Sequence, residues 1–245
     1  MKPKSDLFTP FNSTTCDDFI LFHEDGVISK NNKIHYCRLK YCIEQYHEDL
    51  FKKSNIAIPD NLSRMTHRRQ AEYFFGRYCA TQSLLSLGSR FTEVGRTANG
   101  TPIWPHGTTG SLSHAYNNVI SIATFKQNSN YIGIDIDINR PKVIIPIINN
   151  IITQTEIDVI MKRKLPISLA TTLVFSAKES LYKSLSSIGR RHFRLDLTQL
   201  VDINISANQL TLKLTEHVSP QHTIGKEFKI LYQIEGNKLI TISIA

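Results

Sequence analysis

Tyr131-Ile132-Gly133-Ile134-Asp135-Ile136-Asp137-Ile138 alternates strictly between isoleucine and small or acidic residues. A period of two belongs to a β-strand, because successive side chains leave a strand on opposite faces. Ile132, Ile134, Ile136 and Ile138 share one face, and Gly133, Asp135 and Asp137 share the other. The pattern predicts a half-buried strand whose second face carries two carboxylates. Alternation returns at 210–214, 228–234 and 239–244 without intervening helical stretches, as in antiparallel neighbours. Helical spacing covers 68–87, with Gly88 at a C-cap position, and 168–187, closed by Gly189. Thr153-Gln154-Thr155-Glu156 has the capping-box pattern of a further helix start. The first sixty residues show short strand-like pieces, such as Phe19-Ile20-Leu21-Phe22, among irregular segments. Leu112 and 119–125 read as strands, and Asn128-Ser129-Asn130 as a turn. The expected class is α+β, with one α+β half over residues 1–130 and a second over 131–245.

A hydrophobic content of 41% over 245 residues supports a real core and excludes a disordered chain. The net charge of +8 favours an acidic partner. A basic nucleic-acid-binding module without enzymatic activity is the alternative it raises. That alternative calls for clustered basic residues with exposed aromatics. Here the charge is spread along the chain, and aromatics such as Phe74-Phe75 lie in apolar runs. No signal peptide is expected, because no apolar stretch follows the first six residues. No transmembrane segment is expected either, since the most apolar window, 143–152, is broken by Pro146, Asn149 and Asn150. Cys16, Cys37, Cys42 and Cys79 form no familiar disulfide framework, and His35, Cys37, Cys42 and His47 fit no common zinc spacing. A reduced, cytoplasmic enzyme is the expectation.

Asp135 and Asp137 lie about 7 Å apart along a strand and raise each other's pKa. A divalent cation relieves that repulsion, and hard carboxylate oxygens suit magnesium. The plainer alternative is a strand whose polar face is wet. Glu179 and Lys183 stand at i and i+4 and share a helix face. They form either an ordinary surface ion pair or a carboxylate and an ammonium offered together to a phosphate–metal complex. With Asp135 and Asp137, Glu179 completes a magnesium set that leaves positions for water and phosphate oxygens. Ser113-His114 reads as a phosphate grip or a plain turn; a Ser–His hydrolase pair is disfavoured because neighbours on an extended chain point apart. Arg77 and Arg96 suit phosphate through the planar guanidinium fork, or are solvated charges.

These pieces occur in an order that resembles the 4′-phosphopantetheinyl transferases, specifically the Sfp-like group that includes the enterobactin synthase component D proteins. The resemblance runs from the helix ending Gly76-Arg77, through Arg96-Thr97-Ala98-Asn99-Gly100-Thr101-Pro102 and Ser111-Leu112-Ser113-His114, to Gly133-Ile134-Asp135-Ile136-Asp137 and Phe175-Ser176-Ala177-Lys178-Glu179-Ser180-Leu181-Tyr182-Lys183. It covers roughly half the chain. The last two motifs at their spacing are the specific signal. Phe175, where many members have tryptophan, resembles the enterobactin-type subgroup.

The resemblance implies a pseudo-dimer of two similar α+β halves with coenzyme A in the cleft between them. It implies Asp135 and Glu179 as magnesium ligands, most of them thus in the second half. Asp137 stands where members usually carry glutamate, and its shorter side chain reaches the metal less directly. Ser113 and His114 match the pair on the coenzyme A nucleotide phosphates, and Lys183 matches a lysine on coenzyme A phosphate. Arg77 and Arg96 match arginines near the 3′-phosphate and adenine, and Asn99 and Gly100 belong to the same binding loop. Thr101 departs from a frequent lysine. The implied reaction moves the 4′-phosphopantetheine arm of coenzyme A to a serine of an acidic apo carrier protein, or of a carrier domain in a peptide synthetase for siderophore synthesis. Glu179 is the first candidate for the base and Lys183 for an electrostatic stabiliser. No nucleic acid is implied, and a pseudo-dimer needs no second chain, so a monomer is expected.

Overall fold

In the computed structural model, which describes residues 6–15, 18–97, 100–129, 131–186 and 194–244, the chain divides into two compact units, residues 1–130 and 131–245. Three strands open the first unit: β1 (Phe8–Thr14), β2 (Ile20–Ile28) and β3 (Asn31–Tyr41), paired antiparallel in succession. The isolated strand-like pieces expected over the first sixty residues are therefore a continuous meander. Two features hid it. Only Phe8 of β1 is buried, so that strand carries no apolar alternation. Register shifts between Pro10 and Asn12, and between Ile20 and Phe22, break the period.

A short helix, α1 (Asp49–Lys53), leads to the long helix α2 (His67–Ser86). The Thr66 hydroxyl caps α2 by accepting from the Arg69 amide at 3.3 Å, and Gly88 follows its end at φ +76°. Small strands β4 (Gly95–Arg96) and β5 (Pro102–Ile103) pair with each other, and β6 (Thr108–Ala115) and β7 (Asn118–Phe125) form a hairpin. The sheet order is β1-β2-β3-β7-β6. The buried face of α2 builds an aromatic core: Phe75 stacks on Tyr41 at 4.1 Å, and Phe74 meets Phe51 edge-on at 5.1 Å.

The second unit starts with β8 (Ile132–Ile138). Short helices α3 (Pro141–Ile144) and α4 (Ile148–Ile151) follow, then α5 (Gln154–Met161) and the long α6 (Ile167–Leu185). Strands β9 (Thr198–Asn204), β10 (Gln209–Leu214), β11 (Glu227–Glu235) and β12 (Lys238–Ile244) complete an antiparallel sheet ordered β8-β12-β11-β10-β9. Both halves of the capping box at Thr153 and Glu156 form. Gly189 lies outside the described residues. The two units share a plan: the strand before the long helix pairs antiparallel with the last strand of its unit, β3 with β7 and β8 with β12. This is a mixed α+β fold of two similar halves.

Leu173, Ala177 and Leu181 of α6 pack in one core with Leu210, Leu212, Ile230 and Leu239 of the sheet. The polar side of β8 is covered too: residues from Ile132 to Ile136 are all buried, including Gly133 and Asp135. The expected half-buried strand is thus sealed on both faces along most of its length. Among the described residues no helix is long and apolar enough to cross a membrane.

The loop between β10 and β11 holds a titratable aromatic plug. His222 stacks on Phe228 at 5.9 Å, meets Tyr131 edge-on at 5.5 Å, and lies 2.9 Å through Nδ1 from Ser219 Oγ. Burial, and then the charge of Lys226, holds its imidazole below the ordinary value. The unfolded chain therefore takes up this proton first as pH falls below about 6.5. Stability that is fully present above that pH is lost progressively down to the lowered folded value. Thermal melts from about pH 7.5 to about pH 5 are expected to show a steeper loss for the wild type than for His222→Gln. Parallel curves would refute this.

Candidate functional site

Gly133, Asp135 and Asp137 face α6 because the isoleucines between them claim the opposite side of β8. On α6 the facing residues are Ser176, Ser180 and Ser184, spaced four apart. The approach is close: a Cβ on Gly133 would meet the Ser184 amide nitrogen at 2.7 Å and overlap the Ser180 carbonyl oxygen more deeply still. Glycine and serine here bring Asp135 directly onto the helix.

Asp135 is 6% exposed. Its Oδ2 accepts from Ser176 Oγ at 2.8 Å, and its Oδ1 accepts from Lys183 Nζ at 2.6 Å. Ser176 is itself fixed to β12, where Thr241 Oγ1 donates to the Ser176 carbonyl at 2.8 Å. Sequence reasoning found Asp135 and Lys183 but gave no role to Ser176 or Thr241. Ser176 stood inside the helix motif, seven residues before Lys183 and so on the same face. Thr241 became visible only through its register opposite Asp135.

Glu179 is half-buried; burial raises its carboxyl above the usual range, Lys183 opposes that, and Asp135 and Asp137 add to it. Asp137 is raised chiefly by burial and further by Asp135. Its Oδ1 accepts from the Ile138 amide at 2.7 Å. The structure thus joins Asp135 to Lys183, places Glu179 within their field, and turns Asp137 toward its own backbone. Among the described residues no three His, Cys, Asp or Glu side chains converge closely enough to hold a metal by themselves. The donor chemistry nonetheless fits a hard divalent cation. Asp135, Asp137 and Glu179 offer carboxylate oxygens, the donors such a cation takes; burial raises the Asp137 and Glu179 carboxyls and the Asp135 charge adds to both, while Lys183, and at Asp137 also Arg140, opposes this.

In the first unit, α2 and the β4–β5 hairpin bring cations together. Arg77 is 5% exposed; it donates from Nη2 to the Gly95 carbonyl at 3.2 Å, while its buried Nε finds no hydrogen-bond partner among the described residues. Burial lowers its pKa, and Arg96 and Arg69 lower it further. The guanidinium carbons of Arg77 and Arg96 lie 4.9 and 5.5 Å from the centroid of the Tyr73 ring. Sequence reasoning missed Tyr73, although it precedes Arg77 by one helical turn. Gly100 takes φ +86°, and a Cβ there would come within 3.0 Å of Arg96 Nη2. Asn99 lies outside the described residues.

Ser113 and His114 are adjacent on β6 and leave it on opposite faces. Leu112, which shares a face with His114, packs 3.7 Å from the Cβ position of Gly76 on α2. His114 Nε2 accordingly lies 3.2 Å from Arg69 Nη1 and 3.9 Å from Glu72 Oε2, both on α2. Ser113 is buried on the other face. The two side chains therefore leave β6 on different faces, and Arg69 and Glu72 are the unforeseen partners of His114.

Residues 58–124 match the family model described as the 4′-phosphopantetheinyl transferase N-terminal domain. Residues 131–242 match that of the 4′-phosphopantetheinyl transferase superfamily. The chain is 35% identical over 128 residues to enterobactin synthase component D of Salmonella typhimurium, covering 52% of this chain and 53% of that protein. It is 32% identical over 125 residues to the protein of the same name from Escherichia coli strain K12, covering 50% and 58%. Against 4′-phosphopantetheinyl transferase Npt of Nocardia iowensis, identity is 28% over 142 residues, covering 57% and 61%. The chain thus spans little more than half the length of these curated relatives.

Proposed function

This chain belongs to the 4′-phosphopantetheinyl transferase superfamily, whose two domain models it matches in tandem, and we propose that it transfers the 4′-phosphopantetheine arm of coenzyme A to a serine of an apo carrier protein. The observation that carries the reading is the Asp135–Lys183 pair at 2.6 Å with Glu179 in its field, inside the stretch that matches the superfamily. The names of the relatives support a carrier domain of siderophore peptide synthesis as the acceptor.

In this reading the carrier serine oxygen attacks the β-phosphorus of coenzyme A. Its proton passes to Glu179 as general base, the half-buried carboxylate one helical turn before Lys183. The bond from phosphorus to the bridging oxygen breaks, and 3′,5′-adenosine bisphosphate leaves. Lys183 offers its ammonium to the pyrophosphate oxygens, held in place by Asp135 and indirectly by Ser176. Arg77 and Arg96 hold the 3′-phosphate end. His114, braced by Arg69 and Glu72, and Ser113 contact the nucleotide from separate faces of β6. Asp135 and Glu179, with Asp137 in a lesser part, are the residues that would hold magnesium, which when bound neutralises charge on the pyrophosphate. The net charge of +8 steers acidic carriers toward the enzyme. Cys37, Cys42 and Cys79 are free thiols, which agrees with a cytoplasmic setting. Both groups of side chains lie on one chain, so we read the enzyme as acting as a monomer.

The test is direct. The protein is incubated with coenzyme A, magnesium and an apo carrier, and the carrier is weighed. A gain of one phosphopantetheine is expected; no gain across aryl, peptidyl and acyl carriers would remove the reading. Arg96→Ala is expected to raise KM for coenzyme A about tenfold, the loss of one charge-assisted contact. Its kcat should change less, because the contact is the same in ground and transition states. A normal KM would exclude Arg96 from the binding set.

A further inference from the structure

We infer that the buried Lys178–Glu156 ion pair positions the reacting face of α6, fixing the helix's rotation so that Lys183 meets Asp135 and Glu179 lies within their field. This rests on the transfer reading above. Lys178 precedes Glu179 in the chain yet faces away from Asp135. It is 3% exposed and Glu156 is wholly buried, with Nζ 2.8 Å from Oε1. The Glu156 carboxylate is held from three further directions. Oε1 also accepts from the Leu200 amide of β9 at 2.8 Å, and Oε2 accepts from the amide and hydroxyl of Thr153 at 2.8 and 3.2 Å. The carboxylate is thus a fixed point joining the start of α5, β9 and α6.

Helix geometry gives the pair its leverage. At about 100° per residue, Lys178 lies about 160° around α6 from Ser176 and about 140° from Lys183. Ser176 and Lys183 both reach Asp135. The helix is therefore clamped on nearly opposite sides, by Lys178–Glu156 on one and Lys183–Asp135 on the other. Stability alone is a poor reason for such a pair, because well-packed apolar side chains serve a core equally well or better. What an apolar pair lacks is direction. The hydrogen-bonded carboxylate fixes where Nζ sits, and through it the azimuth of the next residue, Glu179.

The double variant Lys178→Met/Glu156→Gln removes both charges and keeps one side-chain oxygen to accept the Thr153 cap, while the Leu200 amide loses its acceptor. It is expected to melt below the wild type yet stay folded, to lose about tenfold or more in kcat, and to keep KM for coenzyme A within about threefold. Wild-type kcat in a folded double variant would overturn the inference. Should that variant fail to fold, Glu156→Asp retains charge, pair and cap while shortening the reach by one methylene. It is expected to be stable and slower, and a wild-type rate would likewise overturn the inference. Crystal structures of the variants decide the matter without activity. The Lys183–Asp135 contact should lengthen beyond hydrogen bonding, and its persistence would be fatal. A wild type that transfers nothing removes the proposed function, while this structural arm still stands or falls by itself.

Discussion

Replacing Asp135 with alanine is expected to lower carrier modification by about a hundred- to a thousandfold while the protein stays folded. The carboxylate does two jobs at once. It anchors Lys183 through Oδ1, and it is the most deeply buried of the three acidic groups on this seam. Its loss leaves the ammonium without a fixed position and, on the proposed reading, removes one of the carboxylates that would hold magnesium. The cost to stability is expected to be only about 1–3 kcal/mol. Ser176 keeps Thr241 as a partner at 2.9 Å, and Lys183, with a quarter of its side chain exposed, reaches water. Glu179→Ala is expected to abolish transfer to a similar degree. Asp137→Ala should cause a partial loss, because that carboxylate is committed to the Ile138 amide. Initial rates over a range of magnesium, with a melt for each variant, read all three. Full activity in Asp135→Ala or Glu179→Ala would strike that residue from the site, and equal losses at 135 and 137 would give Asp137 a direct role.

Gly133→Ala is expected to damage both stability and rate, although it adds one methyl group. That methyl would overlap the Ser180 carbonyl and press on the Ser184 amide nitrogen, which are backbone atoms of α6 and cannot rotate away. The helix must move bodily. Overpacking of this kind costs about 1–3 kcal/mol, and a backbone clash belongs at or above the top of that range. Displacing Glu179 and Lys183 from Asp135 by about an ångström should cost a further hundredfold in rate. Urea midpoints and kcat measured together test this. A wild-type midpoint would show that the seam has slack.

Much of this was legible from periodicity. The long helices, β8, the late hairpins and the capping box all carry local signals, because the residues that make them also bury one regular face. The first meander was not legible, since β1 is an exposed edge and its bulges break the alternation. Strand β9 was missed for a related reason. Leu200-Val201 interrupts its period, and the register slips opposite Thr211 and Leu212. Candidate residues with an unusual pattern, Asp135, Glu179 and Lys183, could be named in advance, and the fold brings Asp135 and Lys183 into contact. Their supports could not be so named. Ser176, Thr241, Tyr73 and Arg69 are ordinary residues whose roles depend on what the fold sets opposite them. Lys178 is the sharpest case: it stands beside Glu179 in the motif without a role of its own, and only the fold sets Glu156 opposite it.

The tight seam between α6 and β8 also bears on how this protein can drift over generations. Gly133 lies against the backbone of Ser180 and Ser184, so a change there that adds a side chain must move the helix. Val143, Ile145 and Ile147, which follow β8 directly in the chain, are exposed and meet no such limit. The surface beyond the strand can therefore be remodelled while the seam stays fixed.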